Sequence, residues 1–105
     1  MDLAQLARAL DAFAALDPTH FPLHHAQVFL QVAAKGRSTY GEIEKALGLT
    51  NGSVSRTVTA MGETNRRGDP GYDLLEIHPD PDEGRRHLVV LTPRGRALLR
   101  QLQNL

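Results

Sequence analysis

Apolar residues recur at helical spacing from the start of the chain: Leu3, Leu6, Ala7, Leu10, Phe13 and Ala14 share one face. The pattern predicts a first helix over about 2–16, with Asp2 as its N-cap and Asp17-Pro18 as its end. Pro22 opens a second helical stretch, to about Ala34, in which Ala26, Phe29, Leu30 and Ala33 align and Gly36 supplies the stop. Thr39, with Glu42 three residues on, has the spacing of a capping box. It predicts a third helix over about 40–47 with Ile43, Ala46 and Leu47 inward, ended at Gly48. Thr50 then caps a fourth helix, about 51–62, with Val54, Val58 and Met61 on one face. Its other face carries Asn51, Ser53, Arg56, Thr57 and Ala60.

The pattern changes after residue 62. Residues 62–73 hold three glycines and a proline with no apolar period, which is loop chemistry. Leu74–Ile77 and Arg86–Leu91 read as two strands around the turn 79–84, an antiparallel hairpin. Thr92 caps a last helix with Pro93 at its first position and Ala97, Leu98, Leu99, Leu102 and Leu105 on its apolar side. The expected fold is mainly α with a small β-hairpin, laid out as a winged helix-turn-helix over residues 1–105. Residues 1–35 form the N-terminal helices, 38–62 the helix-turn-helix, 74–91 the wing and 93–105 the closing helix. Ile43, Leu47, Leu49 and Val54 can bury the inner corner of the two-helix unit, with Gly48 allowing its turn. The N-terminal half of the fourth helix is then free to enter a major groove.

Composition narrows the chemistry. The chain has 105 residues, 41% hydrophobic and 23% charged, which suits one small globular domain with little room for a deep substrate cleft. It has no cysteine, so a disulfide scaffold, a thiol nucleophile and cysteine-ligated metal sites are excluded. No apolar run approaches the roughly 18 residues of a membrane span. The N-terminus lacks the basic and apolar stretches of a secretory signal, so the expected location is cytoplasmic. The net charge is zero but unevenly spread. Residues 35–68 carry six bases against three acids, 69–84 six acids and no base, and 85–105 five arginines and no acid. For a phosphate-binding face the distribution matters more than the total.

Three stretches carry a family resemblance: Ser-Thr-Tyr-Gly-Glu-Ile-Glu-Lys-Ala-Leu-Gly-Leu-Thr (38–50), Ser-Val-Ser-Arg-Thr-Val (53–58) and Asp-Pro-Asp-Glu-Gly-Arg-Arg-His-Leu-Val-Val-Leu-Thr-Pro-Arg-Gly (80–95). Together they resemble the MarR family of bacterial transcription regulators, over about Leu23 to Leu102. The resemblance implies a DNA-binding, usually dimeric regulator, with repression the expected direction. It implies that Asn51, Ser53, Ser55, Arg56 and Thr57 lie at or near the major groove. It also makes Arg85 and Arg86 the wing arginines, one at DNA and the other tied to Asp80 or Asp82. Where the family has a short apolar turn between recognition helix and wing, about twelve polar residues intervene here, including Arg66 and Arg67. These two either reach phosphates beside the groove or form a solvated pair. A homodimer would use the first helix and residues 97–105. No residue pattern marks a small-molecule effector.

Other constellations are weaker. His20, His24 and His25 cluster, but adjacent histidines on a helix point apart, and metal needs three or four converging ligands. They suit caps, surface positions or a dimer contact. His78 and His87 are placed to face each other across the hairpin. Asp80, Asp82 and Glu83 lack the spacing of a calcium loop. No phosphate loop or nucleophile elbow occurs, and Ser38, Ser53 and Ser55 have no catalytic frame, so no enzyme, metal or cofactor is expected. The alternative function is a winged-helix protein-interaction module, because fold alone does not decide function.

Overall fold

Five helices surround a small antiparallel sheet in the computed structural model, which describes residues 1–105. Polar caps set the helix starts. The Asp2 carboxylate accepts from the Gln5 amide at 2.8 Å, the Gln5 side chain accepts from the Asp2 amide at 3.0 Å, and α1 (Leu3–Ala14) begins there. This reciprocal box satisfies two groups that would otherwise lack a partner. α2 (Leu23–Lys35) follows Pro22 and ends at Gly36, whose φ of 82° favours glycine. Thr39 and Glu42 form the predicted box before α3 (Tyr40–Leu47), and Gly48 closes that helix in the left-handed region. Thr50 caps α4 (Asn51–Ala60) and Thr92 caps α5 (Pro93–Gln103).

The sheet has three strands rather than the two expected. Its order is β1 (Arg37–Thr39), β3 (His87–Leu91), β2 (Leu75–Pro79), all antiparallel. β2 and β3 are the wing hairpin. β1 is too short to show alternation, and it forms because β3 offers its second edge, pairing Arg37 with Val90 and Thr39 with Leu88. The start of α3 is thereby tied to the wing. Register also separates the two wing histidines: His78 pairs with Leu88, and His87 with Pro79. A one-residue offset puts their side chains on opposite faces, so they do not meet as expected. His78 instead contacts Glu76 at 3.3 Å, and His87 lies beside Tyr40, with ring centroids 6.3 Å apart.

The core lies between α2, the α3–α4 unit and the sheet. Val28, Phe29 and Val32 pack with Ile43, Val54, Val58, Met61, Leu74, Leu75 and Val89. α1 joins through Ala12 and Phe13, the latter edge-on to Phe29 at 5.8 Å. The rest of its apolar face is uncovered: Leu3, Leu6 and Leu10 are 83%, 42% and 50% exposed. Leu30 and Ala46, expected inward, are also exposed; α2 turns Val28 and Val32 inward instead. Close backbone approach explains two glycines. A Cβ at Gly95 would strike the Leu74 carbonyl oxygen, and one at Gly71 the Gly62 carbonyl oxygen. No helix is long and apolar enough to cross a membrane.

Candidate nucleic-acid interface

α3, Gly48 and α4 form the helix-turn-helix. Ile43 and Val54 are fully buried at its inner corner, with Leu47 and Leu49 packed partly buried against them. One face of α4 is therefore fixed inward. Thr57 belongs to that face, not to the outer one as expected, and is only 6% exposed. The reason is helical geometry: 54, 57, 58 and 61 are spaced by three, four and seven, which is one stripe. Thr57 borders a groove with Pro22, His24 and His25 of the α2 start.

The outer face of α4 carries the remaining predicted residues. Asn51 donates to Glu44 of α3 at 3.2 Å, fixing the helix start. The Ser53 amide donates to the Thr50 hydroxyl, and the Thr50 hydroxyl donates to Ser53 Oγ, each at 3.1 Å. Arg56 is exposed and folds back along the helix: its Nη2 donates to Ser53 Oγ at 3.4 Å, and the guanidinium lies over Gly52. A side chain at 52 would crowd it.

Residues 62–73 are built onto the C-terminal end of α4. The Tyr72 amide donates to the Ala60 carbonyl, and the Leu74 and Leu75 amides donate to the Met61 carbonyl. Asn65 organises the tip, its Oδ1 accepting from the Arg67 and Asp69 amides at 2.9 and 3.1 Å. Thr64 and Pro70 pair in a single bridge. Arg66 is thus carried to α4, where its Nη2 donates to Ser55 Oγ at 3.5 Å. Arg56, Arg66 and Arg67 line one groove of about 240 Å³ along the helix.

The two wing arginines divide. Arg86 donates to the buried Asp80 carboxylate through Nε at 3.1 Å and Nη2 at 2.9 Å, and Glu83 lies 3.5 Å away. The Asp82 backbone amide, more than the arginine, holds the Asp80 carboxyl below its usual range. Arg85 is exposed and in no ion pair. Of the six acids in 69–84, Asp80 and Glu83 are engaged by Arg86 and Glu76 by His78.

Sequence reasoning missed a second set of residues. Tyr72 donates its hydroxyl to Asp17 at 2.9 Å, anchoring the 62–73 segment to the α1–α2 turn. The His20 amide first, then this hydroxyl, hold Asp17 below the usual carboxylate range. Tyr72 also packs edge-on to Phe21 and His25, at 5.2 and 6.0 Å. Burial first, with His20 and His24 adding, pushes the His25 imidazole below its ordinary value, and its Nδ1 has no partner. No local spacing links residues 17, 25 and 72. On the other side of α4, Tyr40, Lys45, Arg85 and His87 border a groove between α3 and the wing root. Only the pairing of β1 with β3 brings these together.

No protein-family model matches the sequence, and no curated protein sequence matches it. Solved structures do match. A mutant of MarR from E. coli, complexed with operator DNA, superposes with a TM-score of 0.66 at 21% identity, over 97% of this chain and 68% of that one. BpsR from Bordetella bronchiseptica, whose DNA binding is regulated by 6-hydroxynicotinic acid, gives 0.64 at 22% identity, over 96% and 67%. AbsC, a MarR family transcriptional regulator from Streptomyces coelicolor, gives 0.67 at 15% identity, over 97% and 66%. The chain spans about two thirds of the length of each. Its fold is the MarR-type winged helix-turn-helix.

Proposed function

We propose that the chain binds duplex DNA in a sequence-specific way and regulates transcription, as a repressor and as a homodimer. The observation that carries this is the surroundings of α4. Its outer face bears Asn51, Ser53, Ser55 and Arg56, and the exposed cations Arg66, Arg67 and Arg85 stand around it. In this reading α4 enters the major groove, and Arg56 takes a guanine edge or a phosphate. A bidentate base contact is worth about 1–3 kcal/mol of discrimination. Ser53 and Ser55 offer hydroxyls, and Asn51 supports the helix start or meets a phosphate. Arg66 and Arg67 hold the strand beside the groove, while Arg85 reaches the backbone or minor groove from the wing. Arg86 serves indirectly by holding the turn on Asp80. Thr57 takes no part. Phosphate contacts position such a domain and base contacts specify its site, so affinity falls steeply with salt. The operator complex of the E. coli MarR neighbour supports the reading by likeness of fold. The homodimer would form through the uncovered leucines of α1 and through α5.

A second reading has its own observation. Leu3, Leu6 and Leu10 are exposed, and Leu10 shares a groove with Leu23. This face suits a different protein partner as well as a second copy, as in a docking module. Selection of bound duplexes from a randomised pool, with Arg56→Ala alongside, separates the two. An inverted-repeat consensus that the variant loses is the expected result. No enrichment even at low salt leaves the docking module as the function.

A further inference from the structure

Between α3 and the root of the wing lies a groove of about 570 Å³ that reaches Asn51 at the start of α4. Tyr40 is its one apolar wall. Three permanent cations border it, Lys45, Arg85 and Arg86, against two carboxylates, Glu42 and Glu44. Both carboxylates are already engaged, Glu42 by the Thr39 amide at 3.0 Å and Glu44 by the Asn51 side chain at 3.2 Å. Arg86 is held by Asp80 at 2.9 Å. Lys45 and Arg85 are in no ion pair.

His87 lines the groove beside them. It is exposed, and β3 places it beside Tyr40. The charged groups facing it are Glu42, Glu44 and Lys45 from α3, and Arg85 and Arg86 from the turn; β2 opposes it with the uncharged Pro79. Asp80 offsets Arg86, so with the imidazole neutral Lys45 and Arg85 balance Glu42 and Glu44; protonation gives the groove's border an excess of one positive charge. We propose that this groove seats a backbone phosphate of the DNA strand flanking α4, with Lys45, Arg85 and protonated His87 as its charges, so that DNA binding takes up a proton. The inference rests on the DNA-binding reading. Histidine is the side chain whose ordinary titration range falls near neutral pH, and a phosphate beside it favours the charged form. Lys45 and Arg85 supply the seat at any pH, and His87 adds to it as pH falls.

The test needs no operator, because a phosphate seat acts on any duplex. Affinity for a mixed-sequence duplex three helical turns long is measured at low salt in phosphate-free buffer, with folding checked by circular dichroism at each pH. Between about pH 8 and about pH 6 the wild type should tighten about three- to tenfold for one linked imidazole. His87→Gln should lose most of that gain, and His78→Gln should keep it. Lys45→Gln should reduce the slope of log affinity against log salt by about one phosphate contact at both pH values. A folded His87→Gln protein that keeps the full pH dependence overturns the proposal while the DNA-binding reading stands. So does an unchanged salt slope in Lys45→Gln. A wild type that binds no duplex at any pH overturns both.

Discussion

His25 occupies a half-buried position that favours a neutral ring over a charged one. Its imidazole meets Phe21 and Tyr72 edge-on, its Nδ1 is buried without a partner, and His20 and His24 stand close enough to oppose a further charge. Folding therefore lowers the pKa of His25 from its unfolded value of about 6.5. The folded state binds fewer protons than the unfolded state in the window between the two values, so stability rises with pH there. The stabilisation is complete above about pH 6.5 and is lost as pH falls through the lowered folded value. The expected outcome is a denaturant midpoint that drops between about pH 7.5 and about pH 5.5, with a smaller drop in His25→Phe, which keeps an aromatic ring there. Parallel midpoint curves for the two proteins would remove His25 as the cause.

The 62–73 segment shows how an element without its own hydrophobic period becomes ordered. The Asn65 tip orders it internally, and four attachments hold it to the rest: backbone bonds to the end of α4, Arg66 on Ser55, the Thr92 hydroxyl on the Asp73 carbonyl and the Tyr72 hydroxyl on Asp17. The last spans the greatest distance in sequence, 55 residues. Tyr72→Phe keeps the ring against Phe21 and removes the tether. Trypsin should then cut after Arg66 and Arg67 faster than in the wild type, and amide exchange should quicken at Gly71 and Asp73 with the core amides unchanged. Equal cleavage rates would mean that the other attachments hold the segment without the Tyr72 hydroxyl. The same contrast explains what was legible beforehand. Asp2, Thr39, Thr50 and Thr92 announce their helices because a cap acts within three residues. Gly48 marks its turn for the same local reason. β1 and the Asp17–Tyr72 anchor were illegible because each depends on a partner distant in the chain. The spacing puts Arg56 on the outer face of α4, and it is exposed there. The polarity of Thr57 argues for the outer face, but its spacing from Val54 and Met61 puts it inside. The grouping of Tyr40, Lys45 and His87 required the β1–β3 pairing, which a three-residue strand does not advertise.

At the scale of the whole molecule, the two surfaces that the proposed function gives to partners are separate. No α1 residue lines the grooves that α4 borders, so in the proposed reading the surface given to DNA and the one given to a second copy are distinct. The chain extends 42 × 30 × 26 Å, and one recognition helix of this kind reads a single half-site. Half-sites in such operators lie about 34–36 Å apart, so a symmetric pair can place both helices on one side of the duplex. Burying a leucine side chain fully contributes about 1.5–3 kcal/mol. Leu3, Leu6 and Leu10, doubled by symmetry, therefore offer a substantial apolar contribution to association. Leu6→Glu combined with Leu10→Glu puts two like charges from each copy into that contact while leaving Ala12 and Phe13 in the core. The expected outcome is a change from dimer to monomer by light scattering, with the folded circular dichroism spectrum kept. Linked half-sites gain about 10²–10⁴ in avidity over single ones, so affinity for an inverted repeat should fall by a comparable factor while affinity for an isolated half-site stays the same. A double variant that remains dimeric would move the contact away from α1. A wild type that is already monomeric at tens of micromolar would exclude the symmetric pair altogether.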